Sequence, residues 1–444
     1  MGVIGIINSD PKIKEIIDDA FKNAPGQNYF PKYFSEIADI LEHLNFDLPE
    51  IVLINFSDPA INIDEIVLLI QNDKWILNFG IIGIYYGKNN TEEQYQKKYQ
   101  SINILTMMDI HRLRTHLIKN IEIIEQNYQI IFHREFTRDL LSGGASGSFS
   151  IENDILAIPL YAGIGATIMA QQGLINPQHK MQLQLALGEL IVNAVEHGNC
   201  GISYDEKTKG MEERGLSVVE LVAEKCKDPL IKKKKVEFIW EIHSDHTSFL
   251  IRDEGDGFDV GAHLKKVTSQ DQMSLHGRGI RIASAFSTKL KYNRKGNEVT
   301  LIINHDDSIE HEIPTGFSRQ QIHEFKPGDI VLRENEPSDY LYYIISGNYS
   351  VYHKSKKVGS LSPQDIFIGE IAFLLNQPRS ASVRTDKPGK LVLLSRKALI
   401  SIIREYPHYG VFLSRLLARR LVRSNEQNAA LMEKLKLYSG NSGR

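Results

Sequence analysis

The sequence predicts a multidomain chain of α/β and α+β character, and three observations carry that expectation. A length of 444 residues, at ~150 residues per domain, points to about three folding units rather than one large core. Residues before about Met108 alternate short apolar runs with amphipathic stretches, the pattern of a parallel sheet wrapped by helices. Residues after about Ile313 are dominated by short strands punctuated by turn signals, which predicts a small β-roll followed by helices.

Composition narrows the classes. Hydrophobic residues make up 42% and charged residues 24%, the balance of a folded globular protein rather than a disordered one. Net charge is −3, so no global basic field draws the chain onto nucleic acid. The most apolar stretch, Ile155 to Ala170, is shorter than the ~20 residues a spanning helix needs and is broken by Pro159, Gly163 and Gly165; it reads as buried strand and helix. No membrane partner is expected. Cys200 and Cys226 are too few and too scattered for a disulfide framework. The amino terminus lacks a secretory pattern, so a cytoplasmic location is expected.

Taken in order, the apolar runs Val3–Ile7, Ile51–Asn55, Phe79–Tyr85 and Ile102–Leu105 are the expected strands of a domain over residues 1–120, with helices at Pro11–Lys22 and Tyr33–Leu44. Ile110, Leu113, Leu117, Ile121, Ile124 and Tyr128 recur at helical spacing. That spacing predicts one helix from Asp109 to about Leu141 inside a linker spanning 109–148, ended by Ser142-Gly-Gly-Ala-Ser-Gly-Ser148. A central domain follows over 149–306, with a long helix around Lys180–His197. The run Lys232–Lys235 reads as a solvated loop. The last domain spans 314–436 and ends in a charged helix, Tyr406 to about Leu437.

Three boxes in the central domain carry chemistry. Glu189, Asn193 and His197 lie four apart, so they share a helical face. A carboxylate and a carboxamide so placed can hold a water and a Mg²⁺ against a triphosphate, because hard cations take oxygen ligands. Asp253, Gly255 and Gly257 follow the strand Ser248–Ile251. A carboxylate there can accept the exocyclic amine of adenine, with glycines that let the backbone pass close to the base. Gly277-Arg278-Gly279 opens the helix Arg281–Phe286, where unpaired N–H groups and the helix dipole favour phosphate.

Over roughly residues 150–304 this set resembles the Bergerat-fold ATPases, an α/β sandwich shared by histidine kinases, gyrase and anti-sigma-factor serine kinases. The anti-sigma kinase branch is the most similar, through Glu189-Leu-Ile-Val-Asn-Ala-Val-Glu-His-Gly198 and Gly296-Asn-Glu-Val-Thr300. The resemblance implies Mg-ATP as cofactor. It implies Glu189 as the residue that activates the attacking water or hydroxyl, Asn193 as the Mg²⁺ ligand and Asp253 as the adenine reader. Gly255 and Gly257 would line the base, Gly277, Arg278 and Gly279 the phosphates, and Thr300 joins the ATP contacts. The insert Asn199 to Val236 has no assigned role. His111 and His116 lack the following Glu-x-x-x-Pro of a phosphoacceptor helix, so a sensor histidine kinase is the weaker reading.

In the last domain a cyclic phosphate needs one fixed cation, best met by a guanidinium. Arg379, with the backbone N–H groups near Gly369, Ser380 and Ala381, meets that need, and Glu370 is placed to accept a ribose 2′-hydroxyl. Together with Phe325-Lys-Pro-Gly-Asp329 and Ile345-Ser-Gly347, this cassette resembles the cyclic nucleotide-binding domains of bacterial regulators and protein kinase A, over about residues 314–436. Gln364 replaces a usual glycine, and Ile368 looks like a one-residue insertion. Ser380 in place of Thr leans toward cAMP, with cGMP the alternative. Related transcription factors place a helix-turn-helix after the final helix, for which the residues up to Arg444 leave no room, so no direct nucleic-acid contact is expected. The stripe Val411, Leu413, Leu416, Leu417, Leu421, Leu431 and Leu435 predicts a helix that closes over a ligand or pairs with a second copy as a homodimer.

The first domain resembles a response-regulator receiver, but the acidic and basic positions read Asn8-Ser9, Asn55 and Met107. An amide cannot form an acyl phosphate, so a docking or dimerising pseudo-receiver is expected. The whole reads as a cyclic-nucleotide-responsive signalling regulator with a kinase-like module acting on an anti-sigma antagonist, a sigma factor or a phosphatase. The alternative is a non-catalytic nucleotide-sensing scaffold that captures a partner.

Overall fold

The computed structural model describes residues 2–24, 29–73, 77, 79–87, 91–127, 145–243, 245–258, 289–306 and 309–440. The first five strands, β1 (Gly2–Ile7), β2 (Tyr29–Phe34), β3 (Ile51–Asn55), β4 (Gly80–Tyr85) and β5 (Ile104–Asp109), form one sheet in the order β2-β1-β3-β4-β5. Every pairing is parallel. Every residue of β3 and β4 is buried, which is why those runs are continuously apolar rather than alternating. Tyr33 and Phe34, expected to start a helix, belong to β2; the helix α2 (Ile37–Glu42) begins only after the strand ends.

Helix α1 (Pro11–Lys22) starts where Asp10 Oδ1 accepts the Lys12 N–H at 2.8 Å, with Pro11 at its first position. Helices α3 (Ile63–Asn72) and α4 (Glu92–Lys98) complete the intervening connections, and α5 (Ile110–Gln126) packs on α1. The expected linker helix is therefore corrected. Its described part ends at Gln126, and Leu113, Leu117, Ile121 and Ile124 are buried in the core of this domain. Residues 128–144, including the expected continuation and Tyr128, lie outside the described residues.

The second sheet is antiparallel, in the order β6-β7-β8-β10-β9, from β6 (Ala145–Ile151), β7 (Val236–Ile242), β8 (His246–Arg252), β9 (Lys289–Tyr292) and β10 (Glu298–Asn304). Two helices, α6 (Ile158–Gln171) and α7 (Pro177–Asn193), cover its inner face. A Cβ on Gly165 would meet Leu187 and Phe238 at 2.9 Å each, so α6, α7 and β7 close tightly here. On its other side α6 presses on the first domain: a Cβ on Gly163 would lie 1.8 Å from the Leu105 carbonyl of β5. The stretch expected as strand and helix is thus a helix preceded by a turn. It is apolar all round because it is buried between two sheets.

The insert after α7 folds into α8 (Tyr204–Glu213), α9 (Val218–Lys225) and α10 (Pro229–Lys233). Lys232 and Lys233 end α10 rather than lying in a loop, and Lys235 pairs with Glu152 at 2.9 Å. The insert also brings the scattered cysteines together: burial, helped by the neighbouring Cys226 thiol, pushes the Cys200 thiol up to about 12.

The last domain is a roll of two four-stranded sheets, ordered β11-β18-β13-β16 and β12-β17-β14-β15. The strands are β11 (Gln321–Phe325), β12 (Ile330–Leu332), β13 (Tyr340–Ser346), β14 (Tyr349–His353), β15 (Lys356–Leu361), β16 (Phe367–Ile368), β17 (Ser382–Thr385) and β18 (Gly389–Ser395). The short α11 (Glu370–Leu375) sits in the cassette, and α12 (Arg396–Glu405) and α13 (Pro407–Gly440) close the chain. Helix α13 begins against the first domain, where Tyr409 Oη donates to Asp73 Oδ1 at 2.5 Å and Arg415 Nη1 to the Asp47 carbonyl at 2.7 Å. Leu413 of the expected stripe is buried in that seam and Leu416 and Leu417 pack against it, whereas Leu421 is exposed. Among the described residues no helix is long and apolar enough to cross a membrane.

Candidate functional site

A cavity of about 390 Å³ opens between the end of α7, the first turn of the insert and the ends of β8 and β10. Asn193, His197, Asp253 and Gly257 line it together, joined by Gly198, Tyr204 and Val299. Asp253 is set by its neighbours. Its backbone N–H donates to the Asn297 carbonyl at 3.0 Å, the Asn297 amide donates to its carbonyl at 2.9 Å, and its Oδ1 accepts the Gly255 N–H at 2.8 Å. Burial raises the Asp253 carboxyl above the usual carboxylate range, against the opposing pull of the Gly255 N–H and the Lys295 charge.

Glycines make the cavity passable. A Cβ on Gly198 would sit 2.3 Å from Asp253 Cγ, and one on Gly255 would sit 2.3 Å from the Gly198 carbonyl. Gly257 has φ +79 and lies against the Lys295 carbonyl, so only glycine fits both the space and the backbone. Beyond Asn193 the helix widens into the turn Ala194–Asn199, and His197 Nδ1 donates to the Ile202 carbonyl at 2.6 Å. The insert supplies the wall at Ile202, Ser203 and Tyr204, and Lys207 anchors it to the buried Glu196 at 2.9 Å.

Other expected residues fall elsewhere. Glu189 is exposed on α7, one turn before Asn193, and outside the cavity lining. Thr300 points to the opposite face of β10: Val299, Leu301 and Ile303 are the buried alternation, so Val299 reaches the cavity in its place. Gly277, Arg278 and Gly279 lie outside the described residues. Sequence reasoning gave no role to Gly198, Asn199 or Asn297. Asn199 accepts the Glu254 N–H at 2.8 Å and donates to Asn153 at 2.8 Å. The only marks in the sequence are that Gly198 closes the first box and Asn199 directly follows it.

In the last domain Arg379 is 3% exposed. Its Nη1 donates to the Gly369 carbonyl at 2.8 Å and its Nη2 to the Tyr340 carbonyl, while Nε is buried with no partner among the described residues. Burial lowers its pKa from the ordinary value. Gly369 has φ +78, and a Cβ there would strike Arg379 Nη1 at 2.3 Å. An orphaned guanidinium N–H beside a glycine-only turn fits an anionic oxygen such as a cyclic phosphate. Ala381 is half-buried and Ser380 exposed beside it. Glu370 is buried, and its carboxylate is held by Arg420 of α13, whose Nη2 also donates to the Asp365 carbonyl at 2.7 Å. Ile366, three residues before Gly369, has φ 66 and ψ −53, a backbone that L-residues rarely adopt, whereas Ile368, read as an insertion, is an ordinary residue of β16.

At the carboxyl ends of β1 and β3, Asn55 Nδ2 donates to Asn8 Oδ1 at 2.8 Å, both side chains being buried. Asp58 turns onto Ser9, accepting its N–H at 2.6 Å and its hydroxyl at 2.8 Å, and Asp10 caps α1. Met107 is buried in β5.

Residues 163–303 match the histidine kinase-like ATPase domain, and residues 322–406 match the cyclic nucleotide-binding domain. The chain therefore carries both domains. Among similar proteins, a CRP-like cAMP-activated global transcriptional regulator of Mycobacterium tuberculosis is 35% identical over 114 residues, covering 24% of this chain and 50% of that protein. Human potassium/sodium hyperpolarization-activated cyclic nucleotide-gated channel 2 is 34% identical over 119 residues, 27% of this chain and 13% of the channel. The chain thus spans half or less of these relatives. The crystal structure of Thermus thermophilus catabolite activator protein aligns over 26% of this chain and 57% of its own, at 25% identity and a TM-score of 0.25.

Proposed function

We propose that this chain is a cyclic-nucleotide-regulated signalling protein whose central domain binds Mg-ATP and acts as a protein serine kinase of the anti-sigma-factor type. The observation that carries this reading is the convergence of Asn193, Asp253 and Gly257 on one cavity of about 390 Å³. Asp253 would read the adenine amine. Asn193 would hold Mg²⁺ through the triphosphate. Glu189, exposed one turn away, would activate the hydroxyl of a protein partner such as an anti-sigma antagonist. The effector is cAMP, with Arg379 Nε on the cyclic phosphate and Glu370 on the ribose. The first domain serves as a receiver-like docking unit without phosphoryl chemistry. Its strand order is shared with doubly wound signalling folds, and an Asn55–Asn8 amide pair stands where the chemistry would need carboxylates.

One observation favours the scaffold alternative, in which ATP is sensed but not split: Glu189 is outside the cavity lining. Labelled phosphate transferred to a co-purified partner by wild type and lost in Glu189→Ala selects the kinase, and no transfer by wild type selects the scaffold. Calorimetry tests the binding half. Asp253→Ala should weaken Mg-ATP at least tenfold and Arg379→Ala should weaken cAMP at least tenfold, as for loss of a charged hydrogen bond. Equal affinity in wild type and variant removes that residue from its site.

A further inference from the structure

A second cavity, of about 230 Å³, lies where the three domains meet. Ser101 and Asn103 line it from the first domain, Gln171 and Lys180 from the second, and Tyr343 and Ile366 from the third. We propose that this junction cavity is a binding site for a small anion, a carboxylate- or phosphate-bearing molecule of metabolite size, with Lys180 as its cation.

The chemistry of the walls selects the ligand. Lys180 is 8% exposed, and its one partner among the described residues is Asn103 Oδ1 at 2.7 Å, an oxygen it shares with the Thr167 hydroxyl at 3.1 Å. An ammonium carries three N–H donors, so a single neutral acceptor leaves a buried charge poorly compensated. Burial accordingly lowers Lys180 to about 7, and an anion beside it would restore the charged form. Gln171 Nε2, in the same lining, is buried and has no partner among the described residues. Both underused groups are donors, so they call for an acceptor.

Lys180 also sits in the first turn of the 17-residue helix α7, whose dipole favours negative charge there. The carboxylates of the lining, Glu310 and Glu312, are exposed at its edge, and Glu310 is taken by Lys390 at 2.8 Å. His311 joins them and binds the Ile345 carbonyl through its backbone N–H at 2.8 Å. Volume sets the size class. Pockets for drug-sized ligands run from roughly 300 to 1,000 Å³, so this cavity suits a compact anion rather than a nucleotide.

The test uses the full chain in an Arg379→Ala background and in Mg²⁺-free buffer, which removes the cation proposed for the cyclic phosphate and the Mg²⁺ proposed at Asn193. Thermal unfolding is followed with sodium phosphate or sodium succinate, each against sodium chloride at equal ionic strength. The expected result is a saturable rise in the unfolding midpoint with one or both probes. The apparent dissociation constant should rise at least tenfold in Lys180→Met and several-fold in Gln171→Leu. A response to phosphate alone, or to succinate alone, identifies the anion class. No rise beyond chloride with either probe overturns the proposal, as does a dissociation constant unchanged by Lys180→Met. If Lys180→Met does not fold, an unchanged constant in Gln171→Leu overturns it equally.

Discussion

Gly198→Ala adds one methyl group at a position that the boxes leave without a chemical role. Its Cβ would lie 2.3 Å from Asp253 Cγ and 2.5 and 2.7 Å from the two carboxylate oxygens. Contact between such atoms settles near ~3.5 Å, so the carboxylate must retreat by roughly 1 Å. It is a short side chain tied by a 2.8 Å bond to the Gly255 N–H, and a retreat of that size breaks the tie and misplaces the carboxylate proposed to read adenine. Hydrogen bonds to charged groups contribute ~1.5–3 kcal/mol, which corresponds to Mg-ATP affinity falling roughly 10- to 150-fold. Gly198 lies in the helical turn Ala194–Asn199 and is not among the positive-φ glycines, so alanine suits its backbone and the fold should persist. Calorimetry with a non-hydrolysable Mg-ATP analogue, paired with a thermal melt, reads both effects. Because the methyl acts through Asp253, adding Gly198→Ala to Asp253→Ala should cost little more. Wild-type affinity in Gly198→Ala, or fully additive losses in the double variant, would show that Gly198 does not act through Asp253.

Two further outcomes concern the seams and the first domain. Asp154 joins the central domain to α5 through Lys119 at 2.7 Å and His116 at 3.6 Å. Burial alone would raise its pKa, but hydrogen bonds from His116 and Lys119 hold it below the usual carboxylate range. A depressed folded-state pKa gives stability that is present above the unfolded value of about 3.9 and is lost as pH falls toward the folded one. Wild type should therefore exceed Asp154→Asn by about 1–2 kcal/mol at pH 7, and the gap should shrink below about pH 4; denaturant melts showing a gap independent of pH would count against the pairing. Acetyl phosphate with Mg²⁺ should leave residues 1–120 without an acid-labile phosphate, because Asn55 is an amide; an intact-mass adduct there would contradict the docking role.

Much of the architecture was legible because burial writes itself into local pattern. The unbroken apolarity of Ile51–Asn55 and Gly80–Tyr85 records strands covered on both faces, and the spacing of Asn193 and the Asp253 turn carried enough chemistry to place both on one cavity. What stayed hidden depends on distant partners. The all-round apolarity of Ile158–Gln171 signals burial, but not that one side meets the Leu105 carbonyl of another domain. Thr300 and Val299 differ by one residue in a strand, and a one-residue slip exchanges the faces. Arg420 reaches Glu370 across 50 residues of sequence. Lys180 reads as an ordinary helical lysine until Asn103 and the third domain close over it.

The proposed function requires the cyclic nucleotide site and the ATP site to be coupled. Contacts tie each part to its neighbours: Arg420 holds Glu370, the same helix docks Tyr409 on Asp73 of the first domain, and α6 presses on β5 of that domain and packs on α7, which lines the cavity of about 390 Å³. A ligand at 100 times its dissociation constant that binds one conformer biases the equilibrium by ~2.7 kcal/mol, a hundredfold change in population. Titrating Mg-ATP into the full chain with and without saturating cAMP measures the coupling directly. A shift in ATP affinity is expected, with an equal and reciprocal shift in cAMP affinity and loss of both in Arg379→Ala with ATP binding retained. ATP affinity that is identical with and without bound cAMP would contradict it.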